Sequence, residues 1–300
     1  MQTNSKTIKD LLEEDYQYTE IILQYLLDMT RSQIFLNQNL DLKDDVLDRF
    51  LHIQKDLNNG RPLQYAIGEW NFYGYDFIVN ENVLIPRPET ELLVEEILKE
   101  DLKDKKILDI GTGSGAIAIS LASENKKNLH VSACDISTEA LEVARMNAEK
   151  LGAHVEFIHS DLFENIEGKF DLIVSNPPYI SEEDYDKLDK LLYYEPKKAL
   201  YGGVKGYEIY EKIIDQAKSY LTDDASIFFE IGYDQGKVVS DLLRENGYHD
   251  VKILQDYGGK DRIVKGKWLK DSITRWSYAI IIMIFIDYWK DFYVWKIRIN

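Results

Sequence analysis

From Lys106 to Gly266, short apolar runs alternate with stretches of helical periodicity, and this alternation constrains the fold more than any other feature of the chain. Segments 106–110, 129–135, 155–161, 171–175 and 226–231 read as buried strands, because each is brief, apolar and bounded by turn residues. Between them, 116–123, 207–221 and 235–245 read as helices. A further helix follows Ser137, its expected N-cap, carries Ala140, Leu141, Ala144, Ala148 and Leu151 on one face, and stops at Gly152. Segment 89–98 reads as a helix preceding the series. The last two strands, 251–255 and 261–266, are separated only by Tyr257-Gly258-Gly259-Lys260. A connection that short cannot make a parallel crossover, so these two are expected to pair antiparallel. The fold class is therefore α/β, a Rossmann-like doubly wound sheet with an antiparallel last strand. In such sheets ligands bind at the carboxyl ends of the strands.

The flanks differ in character. Residues 5–58 hold neither proline nor glycine, and Ile21, Ile22, Tyr25, Leu26, Val46, Phe50 and Ile53 recur at helical spacing. A small helical domain over 1–62 is expected. Residues 63–79 are dense in aromatic and β-branched side chains punctuated by Gly68 and Gly74, and read as a β-hairpin, giving a linker over 63–82. The α/β domain then occupies 83–268, with an atypical tail over 269–300. Within that tail 276–286 is almost wholly apolar but shorter than the roughly 20 residues of a spanning helix. An added strand or helix, or a non-native read-through segment, fits it equally well.

A formal charge of −17 disfavours binding to a phosphate backbone, which needs a basic surface. The single cysteine, Cys134, excludes an internal disulfide, and the five histidines show no ligand spacing, so no metal is expected. The polar amino terminus has no signal-peptide pattern, and a monomeric, cytoplasmic protein without membrane contact is expected.

Three strand ends carry the chemistry. After the first, Gly111-Thr112-Gly113-Ser114-Gly115 turns into a helix. Its alternating glycines are neither the dinucleotide spacing nor a phosphate loop, which would require a following lysine. Asp135 closes the second strand, where a carboxylate meets ribose hydroxyls. Asp161 closes the third, placed to accept from an exocyclic amine, with Leu162 beside it to pack on a flat base. Either aspartate alone is as well explained by a helix cap or a solvated turn. Together with the glycines they indicate a nucleoside without obligatory phosphate, and S-adenosylmethionine fits better than NAD.

The fourth strand ends in Asn176-Pro177-Pro178-Tyr179. Prolines cannot extend the strand, so the chain leaves the sheet rigidly. The Asn176 oxygen and the Pro177 carbonyl can each accept one N–H of an –NH2 group while Tyr179 covers its flat face. Asn-Pro and Pro-Pro also occur in ordinary turns, so the tetrapeptide gains its meaning from the three strand ends before it.

These motifs together resemble amino-methylating S-adenosylmethionine-dependent methyltransferases, and within them the release factor glutamine methyltransferases (the PrmC/HemK family). The likeness runs from about Arg61 to Lys267. It includes Arg61-Pro62-Leu63-Gln64-Tyr65, Phe72-Tyr73-Gly74, Val83-Leu84-Ile85-Pro86-Arg87-Pro88-Glu89-Thr90-Glu91, Glu195-Pro196, Gly202-Gly203, Gly206 and Gly258-Gly259-Lys260-Asp261-Arg262. The resemblance implies methylation of a glutamine side chain in a Gly-Gly-Gln motif of peptide-chain release factors. It places Gly111 to Gly115, Asp135 and Leu162 around the cofactor, where the strand-end reading adds Asp161 and Asn176, and it places Asn176 to Tyr179 on the substrate amide, with Asn176, Pro177 and Tyr179 expected to be catalytic. It also implies that the amino-terminal helices engage the release factor. Leu162 stands where relatives often carry an aromatic residue, and the tail after Lys267 departs from the family. An adenine-N6 nucleic-acid methyltransferase, whose target amine suits the same clamp, and a non-catalytic cofactor-binding scaffold are the alternatives. A dehydrogenase is disfavoured by the glycine spacing.

Overall fold

The computed structural model describes residues 6–14, 16–124 and 128–269. The expectations for the apolar stretch 276–286 lie outside the described residues. Four helices open the chain: α1 (Ile8–Glu13), α2 (Thr19–Leu27), α3 (Arg31–Leu36) and α4 (Asp44–Asn58). Thr7 with Asp10 and Thr30 with Gln33 form capping boxes at α1 and α3, satisfying amides that the first turn leaves free. Ile8, Leu11, Ile22, Leu23, Ile34, Phe50 and Ile53 close a core of their own. Ile21, in contrast, is exposed.

The segment read as starting a hairpin at residue 63 begins instead with a helix, α5 (Leu63–Ile67), ended by Gly68 at φ +89°. Five residues are too few for helical periodicity to declare itself, which is why the aromatic content dominated the reading. The hairpin proper is β1 (Glu69–Phe72) and β2 (Tyr75–Ile78). Tyr73 and Gly74, both at positive φ, make its two-residue turn.

The remaining α-helices and β-strands are α6 (Pro88–Leu98), β3 (Lys106–Ile110), α7 (Ala116–Glu124), β4 (His130–Asp135), α8 (Thr138–Leu151), β5 (Glu156–His159), β6 (Phe170–Ser175), β7 (Ile180–Ser181), α9 (Glu182–Tyr185), α10 (Lys197–Leu200), β8 (Tyr201–Gly203), α11 (Glu208–Ala217), β9 (Leu221–Glu230), α12 (Gly236–Glu245), β10 (His249–Gln255) and β11 (Asp261–Trp268), with a short 3-10 helix at Lys190–Tyr194. The main sheet runs β10-β11-β9-β6-β3-β4-β5. Every pairing is parallel except those of β11, antiparallel to both its neighbours. The chain order reverses at β3, so the crevice between the β3 and β6 ends is the switch point.

Alternate residues of the central strands face opposite layers, as the pleat requires. Leu108, Ile110, Ile173, Ile227 and Phe229 pack with Tyr210, Ile213, Ile214, Val239 and Leu243 of α11 and α12. Ile107, Leu172, Val174 and Phe228 pack with Leu93, Val94, Ile97 and Ile119 of α6 and α7.

Several boundaries differ from the sequence reading, and two of them carry a physical lesson. Helix α11 ends at Ala217, and Leu221 starts β9 opposite Phe170. Leu221 sits one helical repeat beyond Ala217 and is buried in the same cluster, so periodicity alone carries the helix too far. Strand β5 stops at His159, the last residue paired with β4, so Asp161 lies past the strand in the following turn. Among the described residues no helix is long and apolar enough to cross a membrane.

Candidate active site

The turn after β3 is held by its own backbone. Gly111, Gly113 and Gly115 lie at φ +73°, +56° and +83°, a region where a side chain is strained. The Gly111 and Thr112 amides donate to the Cys134 carbonyl at 2.9 and 3.0 Å, stitching the turn to β4. Beneath them Asp109 is buried and accepts from the Thr112 hydroxyl at 2.7 Å. Burial pushes its carboxyl up to about 7, the Thr112 bond opposing the rise. Cys134, likewise buried, has its thiol pushed up to about 12 by desolvation and is no nucleophile.

Asp135 faces the same turn. Its Oδ2 accepts from the Gly113 amide and its Oδ1 from the Ser137 amide, each at 2.9 Å. A carboxylate offers about four acceptor positions, so two stay free for a pair of hydroxyls. Burial raises the Asp135 pKa, while the surrounding amides and Lys198 draw it back.

A cavity of about 670 Å³ opens at this edge of the sheet, within the range of small-molecule sites. It joins Gly111, Gly113 and Asp135 to Asp161 and Leu162, and continues to Asn176, Pro177 and Pro178. Thr112, Ser114, Gly115 and Tyr179 do not line it. Thr112 serves Asp109, and the Ser114 carbonyl accepts from Asn147 Nδ2 at 2.9 Å. A Cβ on Gly115 would lie 2.7 Å from Ile119 Cδ1. Leu162 adopts φ +50°, a left-handed conformation costing a leucine about 1–2 kcal/mol, and its carbonyl accepts from Cys134 Sγ.

The lip after β6 is fixed from several sides. Ser175 Oγ donates to the Ile110 carbonyl at 2.7 Å, locking the β6 end to the β3 end. Asn176 Nδ2 donates to Thr90 Oγ1 at 3.3 Å. Gln235 Nε2 donates to the carbonyls of Tyr179 and Gly206, each at 3.0 Å. Gly202 passes so close that an added Cβ would stand 2.5 Å from the Pro178 oxygen. Tyr179 itself packs behind the lip against the core of the sheet. Its phenol is pushed up to about 12 by burial and the nearby Glu230.

Some cavity residues had escaped the sequence reading. Lys197 and Lys198 line the wall, with Lys197 Nζ 4.9 Å from the ring centres of both Tyr185 and Tyr201. Ile136 borders the cavity yet is 46% exposed, an apolar surface ready for a ring to cover. A basic pair in so acidic a chain was the available signal for the lysines. The segment carrying them is held down by buried Glu195, which pairs with Arg87 and accepts from the Ile85 amide at 3.1 Å.

The cavity fits a nucleoside: paired acceptors at Asp135, a second carboxylate at Asp161 and apolar faces at Leu162 and Ile136. With this sheet order and the acceptor lip beside it, fold and site define a Rossmann-like methyltransferase. Residues 88–203 match the methyltransferase small domain and residues 5–68 the PrmC N-terminal domain. The chain is 49% identical over 230 residues to the release factor glutamine methyltransferase of Lactococcus lactis subsp. lactis (strain IL1403), covering 75% of this chain and 84% of the relative. It is 39% identical over 270 residues to that of Aquifex aeolicus (strain VF5), covering 87% and 95%. A methyltransferase from Pyrococcus furiosus shares the fold at a TM-score of 0.50 and 21% identity, over 75% of this chain and 98% of that one. The chain belongs to the release factor glutamine methyltransferase family. Its cofactor is S-adenosylmethionine.

Proposed function

We propose that this protein methylates the side-chain amide nitrogen of the glutamine in a Gly-Gly-Gln motif of a peptide-chain release factor. The observation that carries this reading is the continuity of one cavity from Asp135 to the Asn176-Pro177-Pro178 lip. Asp135, Asp161, Leu162 and the glycine turn would hold the cofactor, which supplies an electrophilic methyl carbon on its sulfonium when bound.

An amide nitrogen is a poor nucleophile because its lone pair is delocalised into the carbonyl. The Asn176 oxygen and the Pro177 carbonyl each accept one of its N–H groups. As acceptors they favour the positive charge that builds on nitrogen as the bond forms. Pro177 and Pro178 carry no N–H, so the lip offers oxygens without a competing backbone donor. Orientation of reacting groups is worth up to roughly 7–11 kcal/mol in well-aligned cases, and the bonds of Ser175, Asn176 and Gln235 supply the rigidity this requires. No strong base is needed beforehand, since the N–H becomes acidic once nitrogen has gained its new substituent. Two glycines beside the glutamine suit a narrow approach to the lip.

The helical domain over 1–62 is the platform for the protein substrate, joined through the linker over 63–82 to the catalytic domain over 83–268. Arg61 supports this arrangement, pairing with Asp56 at 2.6 Å and with Glu81 at 2.7 Å. The Tyr194 hydroxyl adds a second tie, donating to the Asn59 carbonyl at 2.8 Å. The enzyme acts as a cytoplasmic monomer and needs no direct contact with nucleic acid. Mass spectrometry of a release factor and of an adenine-containing oligonucleotide, each incubated with enzyme and cofactor, tests the reading. One added methyl group on the glutamine alone is expected, and methylation of adenine alone would overturn it.

A further inference from the structure

We propose that Glu195 sets the spacing of the two walls that flank the cofactor, and is thereby a positioning residue for cofactor binding rather than for methyl transfer. The inference rests on the reading of that cavity as the cofactor's. Asn82 to Leu84 form one wall, on the strap that enters the catalytic domain, and Pro196 to Ala199 form the other. Neither segment belongs to the main sheet, so its strand pairing does not fix their separation.

Glu195 stands directly before the second wall and reaches the residues directly after the first. Its side chain is 2% exposed. The Ile85 amide donates to its Oε2 at 3.1 Å, and Arg87 Nη2 pairs with its Oε1. Ile85, Arg87 and Glu195 each precede a proline, which disfavours helical backbone at the residue before it. Arg87 and Glu195 accordingly lie at φ −100°, ψ 144° and φ −78°, ψ 151°. Both segments are thus stiff where they are joined. A stiff segment passes the position of its joint to the residues beside it, and those residues are the walls.

The join needs a carboxylate. Ile85 and Arg87 both present donors, and a carboxylate gives an oxygen to each. A glutamine in its place has one oxygen, and its NH2 end would set a donor against a donor. Ile85 is buried, and an unpaired N–H there is costly, so its amide cannot be left to water. Each wall also has a tie of its own to the amino-terminal elements. The Tyr65 hydroxyl donates to the Val83 carbonyl at 2.6 Å, and the Tyr194 hydroxyl to the Asn59 carbonyl at 2.8 Å. These keep the walls attached when the carboxylate is lost, so its removal alters their spacing without releasing them.

The test compares Glu195→Gln, Arg87→Gln and the double variant in the full-length protein. Cofactor affinity is read by calorimetry with S-adenosylmethionine and no methyl acceptor, and urea unfolding checks that each variant is folded. Each single change should weaken binding at least tenfold, while kcat at saturating cofactor and KM for a Gly-Gly-Gln peptide stay within threefold. The double variant should be no more than threefold worse than the more impaired single, because both changes break one join. Affinity within threefold of wild type in folded Glu195→Gln, as a role in folding alone predicts, would overturn the proposal. So would a double loss near the product of the singles, which would mean that the two residues act on the cofactor separately. A fall in kcat as large as the fall in affinity would overturn it as well. Should Glu195→Gln not fold, Arg87→Gln, at a residue 30% exposed, decides in its place by the same criteria of affinity and kcat. If affinity responds as expected while the wild type leaves the peptide unmethylated, the spacing role stands and the assigned substrate falls.

Discussion

The turns that end β3 and β6 sit side by side in the sheet and use their backbones in opposite ways. The β3 turn is built from glycines and keeps its N–H groups, spending them on the Cys134 carbonyl and the Asp135 carboxylate. The β6 turn is built from prolines, has no N–H at Pro177 or Pro178, and shows carbonyl oxygen instead. One turn organises an acid to receive hydroxyls; the other organises acceptors to receive an amide's N–H groups. Affinity for cofactor and alignment of substrate are thus assigned to separate pieces of chain, only one strand apart, and separate substitutions should reach them.

The largest expected effect is on the lip. Asn176→Ala should lower kcat by ~10²–10³, the usual loss on removing one group that stabilises developing charge. Cofactor affinity, read by calorimetry, should stay within a few-fold. Equal losses in both would mean that the two turns do not divide the work. The converse substitution, Asp135→Ala, should weaken cofactor binding by about 10–100-fold, as expected for loss of a charged hydrogen-bonding partner worth roughly 1.5–3 kcal/mol. At saturating cofactor its kcat should nearly recover; a persistent loss of turnover would tie Asp135 to alignment.

Gly202→Ala probes the lip from behind, because its Cβ would press on the Pro178 oxygen and on Tyr179 Cα at 2.8 Å. A fall in kcat of about tenfold is expected from a displacement this close to the reacting groups. Unaltered turnover would show that the lip tolerates movement and that its rigidity is not needed.

The smallest effect concerns stability. Glu230 is raised to about 7 from an ordinary value of 4.5, so between those values the folded chain binds more protons than the unfolded one. Stability from this group therefore declines as pH rises through that window. Glu230→Gln, compared with wild type by urea unfolding near pH 5.5 and near pH 8, should gain about 1–3 kcal/mol relative to wild type at the higher pH. The same gain at both pH values would mean that the carboxylate carries no such cost.

The contrast between the turns was legible because it is written in residue types that constrain the backbone. Glycines at alternate positions and consecutive prolines at strand ends leave few conformations, and Asp135 is the last residue of its strand. The α/β order was legible for the same reason, with Ser137 and Gly152 capping α8 as anticipated. What escaped depends on contacts between distant segments. Thr90 meets Asn176 only through the fold, and Gly202 touches Pro178 only because β8 pairs with β7. The positive φ of Leu162 has no local signature, and the short helix α5 has no period long enough to recognise. Ala217 and Leu221 share a core while belonging to different elements, a coincidence that sequence spacing cannot separate.

The most direct measurement is a crystal structure with a demethylated cofactor analogue and a Gly-Gly-Gln peptide. The glutamine nitrogen should lie within hydrogen-bonding distance of both Asn176 Oδ1 and the Pro177 oxygen, facing the sulfur. A glutamine seated elsewhere, or those two oxygens directed into solvent, would contradict the account.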